Sequence, residues 1–242
     1  MYYTMNSQTI YQIKRFLLNF AEKMTDSFTR PQSYFIRDLL YGIAKSQSVI
    51  LTDIARALGE NIDLKYTLKR LSRNCLLFDA WQTLENNYFK AIRPSIQEDD
   101  VLILDGSDLV KSYGQKMEYI TTIKDPVTNR YAKGYPTINV AIATQESKHP
   151  LPIYQKIYSP EAPDFISENI EIYKALDAAD RLCEENNYIT TGDRSFDRND
   201  FMKYLLTRGR DFVIRMKKNR VVHYANQRLK EGRSLCRQLT LF

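Results

Sequence analysis

The sequence predicts a chain in two parts: a helical region over residues 1–98, then an α/β domain with a mixed sheet over residues 99–242. Three observations carry that prediction. The residue pattern shifts near residue 98. Before it, apolar residues recur at the three-or-four spacing of helix faces. After it, short apolar runs that end beside a glycine and an aspartate alternate with amphipathic segments.

In the first part, Ile10, Ile13, Leu17, Phe20 and Met24 mark one helix face. Thr29-Arg30-Pro31 interrupts it, and Pro31 suits the first turn of a second helix carrying Ile36, Leu39, Leu40 and Ile43. Thr52 or Asp53 can cap a short helix with Ile54, Ala55 and Leu58, which Gly59 ends. A turn through Glu60-Asn61-Ile62 follows. Asp63 can cap the next helix, whose buried face holds Leu64, Leu68, Leu71 and Cys75. A longer helix runs from Phe78 to about Ile92, and Pro94 stops it.

In the second part, Val101–Leu104 is a strand ending in the Asp105-Gly106 turn. Tyr135–Thr144 and Leu151–Ser159 read as the next two strands, and Pro160 and Pro163 mark a loop. Phe165 to about Glu185 is an amphipathic helix with Ile166, Ile170, Tyr173 and Leu176 in step. Tyr188–Thr191 is a strand ending at Gly192-Asp193. Asp200 can cap a helix through Leu206, Gly209 ends it, and Asp211–Met216 is a last strand. The predicted order is β, β, β, α, β, α, β.

The bulk chemistry narrows the function classes. Of the 242 residues, 43% are hydrophobic, enough for packed cores, and the net charge of +6 with a pI near 9.0 favours a polyanionic partner. Cys75, Cys183 and Cys236 stand far apart without a CxxC pair, and His149 and His223 are isolated. That spacing argues against a zinc site and a disulfide framework. No stretch approaches the roughly 18 consecutive apolar residues of a membrane span. The N-terminus lacks the pattern of a signal peptide. A cytoplasmic protein with no membrane partner is the expectation.

Two constellations stand out. Over residues 51–75 the pattern is helix, glycine-containing turn, helix. Lys65, Lys69 and Arg73 recur every four residues, sharing a face away from the leucine stripe, and Arg70 flanks them. This has the form of a helix-turn-helix whose second helix meets DNA. The same pattern fits a solvated basic face on an ordinary bundle. Further on, Asp105 and Asp193 each end a short apolar strand beside a glycine. In α/β sheets ligands gather at strand ends. If the two strands are neighbours, two mutually repelling carboxylates can share a divalent cation, and oxygen ligands without His or Cys select Mg²⁺ or Mn²⁺. The alternative is a turn aspartate at 105 and an Asp193–Arg194 pair. Asp108 is close enough in sequence to substitute for Asp105 as a ligand.

The stretch LDGSDLVKSYGQKMEY (104–119) resembles the first-acid segment of insertion-sequence DDE transposases of bacteria, and GDRSFDRNDF (192–201) resembles their second-acid segment, in which an Asp-Arg pair closes the fourth core strand. GYPTINVAIAT and LPIYQKIYSPEAPDFISENIEI are similar to the second and third strands and first helix of that core, and DFVIRMKKNR (211–220) to the strand after the second acid. The resemblance covers roughly residues 45–225. It implies an RNase H-like core over 99–242 preceded by an all-α region over 1–98 that binds transposon ends. Asp105 and Asp193 would then be catalytic, metal-binding acids, with Mg²⁺ or Mn²⁺ as cofactor. Arg194, Arg215, Lys217, Lys218 and Arg220 would be phosphate contacts in a DNA channel. For Lys217 and Lys218 a solvated strand end is the alternative. The implied activity is cleavage and strand transfer of double-stranded DNA at transposon ends and target, by a homodimer on paired ends, in a bacterial nucleoid.

The family's third acid is a Glu on a late helix, preceded at helical spacing by Tyr and Arg. Tyr224, Arg228 and Glu231 lie in such a row, but Gly232 follows at once and the segment reads better as a basic linker. The expectation is therefore a copy that stops before its third acid and is catalytically impaired. A non-catalytic DNA-binding protein derived from a transposase is one competing reading. Another metal-dependent nuclease with a similar core is a second, and a basic structural protein a third.

Overall fold

The computed structural model describes residues 7–114, 116–125, 127–145, 148–183, 188–218, 222–224 and 227–229. The chain divides into two compact units, Met1–Ile92 and Arg93–Phe242.

The first unit holds α1 (Ser7–Met24), α2 (Arg30–Ser46), α3 (Leu51–Leu58), α4 (Leu64–Leu77) and α5 (Trp81–Ile92). Pro31 sits in the first turn of α2, and the Gln32 side chain accepts from the Thr29 N–H at 3.0 Å, satisfying one orphan donor of that turn. α3 begins at Leu51, earlier than a Thr52 or Asp53 cap allows. Asp53 instead accepts from the Ser48 hydroxyl at 2.9 Å within the first turn. Gly59 ends α3 with a φ of 62°, the left-handed conformation glycine adopts without a Cβ clash. α5 begins at Trp81 rather than Phe78, because Phe78 turns inward. Its ring packs on Phe35 and Trp81 with centroids 5.6 and 4.5 Å away. Phe35, Ile36, Ile54, Ala55, Leu71 and Phe78 form the core. α2 and α3 meet at Gly42, where an added Cβ would lie 2.4 Å from Ile54 Cγ2.

The second unit holds β1 (Asp100–Val110), β2 (Thr121–Lys124), β3 (Tyr131–Ala143), β4 (Leu151–Ile157), α6 (Glu168–Cys183), β5 (Tyr188–Gly192), α7 (Asn199–Thr207) and β6 (Phe212–Ile214). A hairpin of β7 (Val222–Tyr224) and β8 (Gln227–Leu229) follows. The six-stranded sheet runs β2-β3-β1-β5-β6, with β4 also paired to β3. β3 is antiparallel to β1, β2 and β4, whereas β1, β5 and β6 are parallel. The sheet is therefore mixed.

In this unit α6 starts at Glu168 rather than Phe165, β6 is only Phe212–Ile214, and three further features differ from the sequence reading. β1 does not end at Asp105-Gly106: pairing with β3 continues from Asp105↔Asn139 to Val110↔Gly134. A long partner strand satisfies the backbone there, so Asp-Gly makes no turn. β2 was not anticipated, being only four residues long and three of them polar. It buries Thr121 and Ile123 beside Gly134, where a Cβ would meet Ile123 Cδ1 and the Leu109 carbonyl oxygen at 2.4 Å each. Finally, Tyr224 and Arg228 stand on antiparallel strands and so share no helix face. Glu231 lies outside the described residues.

One sheet face is dry. Leu102, Leu104, Ile138, Val140 and Ile142 are buried with Ile172, Ala175, Leu176 and Ala179 of α6. At the edge of this layer Glu171, only 3% exposed, is held by Lys156 (2.6 Å) and Lys174 (2.7 Å). Two cations on one buried carboxylate keep it charged.

Two outcomes test this packing. Gly42→Ala should destabilise the helical unit by about 1–3 kcal/mol through overpacking against Ile54, read by denaturant unfolding. Burial raises the Glu171 pKa, but hydrogen bonds and charge from Lys156 and Lys174 outweigh it and hold the carboxyl below the usual glutamate range. A depressed folded value means stability that is complete above the unfolded pKa and lost as pH falls through the folded one. Glu171→Gln should therefore lower Tm at pH 7 and flatten the decline in stability below about pH 4.5.

Candidate functional site

The two acids singled out by the sequence come together through strand register. β1 and β5 are parallel neighbours whose last paired residues are Leu104 and Gly192. Asp105 and Asp193 are the next residue on each strand. Parallel partners share a face and successive residues alternate, so both carboxylates fall on the face opposite Leu104, on strands about 4.8 Å apart. Both residues are exposed. What ends at Asp105 is therefore the ladder with β5, not the strand. Asp108, three residues further, falls on the opposite face, where burial pushes its carboxyl up. It is not a substitute ligand for Asp105.

The turn after β5 orients Asp193. Its backbone is still extended, with φ −77° and ψ −169°. Its Oδ1 accepts from the Ser195 N–H at 2.8 Å and the Ser195 hydroxyl at 2.5 Å. Phe196 then folds back beneath Gly192, so that a Cβ on Gly192 would lie 2.9 Å from its ring. That close approach, rather than a positive φ, is why glycine precedes this acid. Arg198 locks the same turn: it donates to the Ser195 carbonyl (2.9 Å), Asn169 Oδ1 (2.8 Å) and Glu168 Oε2 (2.9 Å).

The row continues to both sides. Gly192 pairs with Ile214, and the Arg215 N–H donates to the Gly192 carbonyl at 3.2 Å, so Arg215, directly after β6, is the residue beside Asp193. Asn139 on β3 is directly opposite Asp105, and Gln155 on β4 is opposite Asn139. Gln155, Asn139, Asp105, Asp193 and Arg215 thus cross the sheet in one line. Arg194, Lys217 and Lys218 are exposed nearby in the chain, and the Lys217 N–H is anchored on Asp197 Oδ2 at 2.7 Å. Arg220 lies outside the described residues. Asn139 and Gln155 were missed by sequence reasoning, although an Asn inside the apolar run YPTINVAIAT is a visible anomaly. Arg198 was also missed.

The donor set fits a hard divalent cation in kind: adjacent carboxylates and no His or Cys ligand. Among the described residues no group of three or more His, Cys, Asp or Glu side chains converges to hold a metal ion. Cys183 is a buried thiol whose pKa burial pushes up to about 11, as expected of an inert core cysteine.

In the helical unit the four predicted DNA-contacting residues separate into two kinds. Lys65, Lys69 and Arg73 are exposed along α4, with Lys65 3.5 Å from Asp63 and over the Tyr66 ring. Arg70 is turned inward. It donates to Asp38 Oδ2 on α2 and to Glu60 Oε1 in the α3–α4 turn, both at 2.6 Å, and Thr67 donates to the other Glu60 oxygen. Arg70 thereby ties the turn to two helices.

No family model matches the sequence, and no curated protein matches it. Among solved structures the chain is similar to a cryo-electron-microscopy structure of a piggyBac transposase synaptic complex with hairpin DNA, at 13% identity and a TM-score of 0.41. The match covers 89% of this chain and 43% of that one, so the chain spans less than half the length of the structure it matches. Among the described residues no helix is long and apolar enough to cross a membrane.

The division of labour on α4 is testable by stability. Arg70→Ala should destabilise the chain by about 1–3 kcal/mol by stranding Asp38 and Glu60. Lys69→Ala, on the exposed face, should stay within about 0.5 kcal/mol of wild type.

Proposed function

We propose that this chain is a transposase-class protein with an RNase H-like core, which binds double-stranded DNA through the exposed face of α4 and holds Mg²⁺ or Mn²⁺ at Asp105 and Asp193. The observation that carries this is the placement of the two acids side by side on β1 and β5. The order of elements supports it: β1, β3, β4, α6, β5 and β6 follow the order of core elements that the family resemblance assigns to these segments. Asp105 then stands on the first core strand and Asp193 directly after the fourth.

The chain's own residues have distinct tasks in this reading. Ser195 occupies one oxygen of Asp193 and leaves the other for a ligand. Arg215, in the same row, offers a guanidinium to a phosphodiester lying over the acids. Arg194, Lys217 and Lys218 draw the flanking phosphates. When bound, the cation supplies activation of a water or 3′-hydroxyl and neutralisation of the leaving oxygen in phosphoryl transfer. Lys65, Lys69 and Arg73 supply phosphate contacts on the helical unit, and Arg70 holds the turn that presents them.

A second reading is favoured by one observation: among the described residues no third acid joins the pair. It is a DNA-binding protein of the same ancestry without cleavage activity. One experiment separates the two. DNA carrying candidate element ends is incubated with Mg²⁺ or Mn²⁺ and either wild type or Asp193→Ala. Cleavage lost in the variant supports the enzyme. No cleavage, with end binding retained by both proteins, supports the second reading. Salt-insensitive or absent DNA binding would contradict both. In either case Lys69→Ala should weaken binding across sequences and reduce the salt slope by about 1.

A further inference from the structure

We propose that Asn139, locked by Gln155, is a positioning residue for Asp105. This inference rests on the reading of Asp105 and Asp193 as a cation site.

An amide side chain can present either a donor or an acceptor, and its hydrogen-bond network decides which. Here the network runs one way. The Thr137 hydroxyl donates its single proton to the Ser107 carbonyl at 3.0 Å, so it can only accept from Asn139, whose Nδ2 lies 3.3 Å away. On the other side, Gln155 Nε2 donates to Asn139 Oδ1 at 2.9 Å. A backbone carbonyl cannot donate, so while Thr137 serves Ser107 the relay runs Gln155→Asn139→Thr137→Ser107. Asn139 Oδ1 is committed toward β4, and Nδ2 keeps a second N–H with no partner among the described residues.

Asp105 is the residue directly across from Asn139. Opposed residues of an antiparallel pair carry Cβ atoms roughly 5 Å apart on one face, within reach of a side-chain hydrogen bond. The two acids are then treated alike. Ser195 gives donors to one oxygen of Asp193. The spare N–H of Asn139 would be given to one oxygen of Asp105 when the acids hold a cation. Each carboxylate would then keep its second oxygen for the cation. Donors behind ligating carboxylates fix ligand orientation, and their loss typically weakens metal binding by about 10–100-fold.

The test is Mn²⁺ affinity of the full chain by electron paramagnetic resonance titration, with melting temperature measured alongside. Asn139→Ala should lower Mn²⁺ affinity by tenfold or more while Tm stays near wild type. Asn139→Ser, which keeps a donor, should recover part of the loss. Gln155→Met, which frees the amide to turn over, should show a smaller loss than Asn139→Ala. Wild-type Mn²⁺ affinity in all three variants, in a protein whose Asp193→Ala form has lost it, would overturn the role of Asn139 and leave the cation site standing. If wild type binds no Mn²⁺, or Asp105→Ala and Asp193→Ala bind it as wild type does, the cation site itself fails and the positioning role with it.

Discussion

The parallel pairing of β1 with β5 is the constraint on which the rest of the second unit depends. Its register sets Leu104 against Gly192, and the two acids follow as the next residue on each strand. Period-2 alternation makes this strict: a one-residue slip of β5 would turn Asp193 into the dry face and Thr190, now fully buried, out of it. The slip is opposed from both sides. Leu102 and Leu104 are buried on the face that packs against α6, while Gly192 is closely covered by Phe196. The same hydrophobic layer that stabilises the sheet therefore aims both carboxylates at the opposite face.

Around that register the polar groups fall into two classes with different energetics. Glu171 is a charge withdrawn from solvent and Arg70 a partly buried one, and each is surrounded by counter-charges, Glu171 by two lysines and Arg70 by two carboxylates. Removing one partner strands the others, so these are structural ions. Asp105, Asp193, Arg215, Lys65, Lys69 and Arg73 are exposed ions. Pairing such groups on a surface contributes little to stability. Their value lies in what they attract. On α4 the two classes alternate within one helical turn: Lys69 faces solvent and Arg70 faces Asp38 and Glu60, so a count of basic residues alone overstates the DNA-facing surface.

Most of the architecture was legible because burial imposes periodicity. The stripes of α1 to α4, the amphipathic α6 and the apolar cores of β1, β3, β4 and β5 follow from it in the main, but Ile13 and Leu64, read as stripe residues, are exposed, and Ile166 lies exposed ahead of α6. Boundaries were less legible where tertiary contacts decide them. Asp105-Gly106 has the chemistry of a turn, yet β3 is long enough to keep β1 extended to Val110. β2 has too few residues to show a period. Asp193 was legible as an acid at a strand end, but not the Ser195 and Arg198 contacts that orient it, because those depend on how the turn folds against α6. Asn139 and Gln155 belong to different strands, and only register reveals them as a pair.

We propose that Asp105 and Asp193 form one cation site. It is tested most directly by a crystal structure of this chain grown or soaked with Mn²⁺, recorded for anomalous scattering. A peak in contact with carboxylate oxygens of both Asp105 and Asp193, absent from Asp193→Ala crystals, is the predicted result. A peak elsewhere, or carboxylates turned away from each other with no peak between them at saturating Mn²⁺, would contradict it.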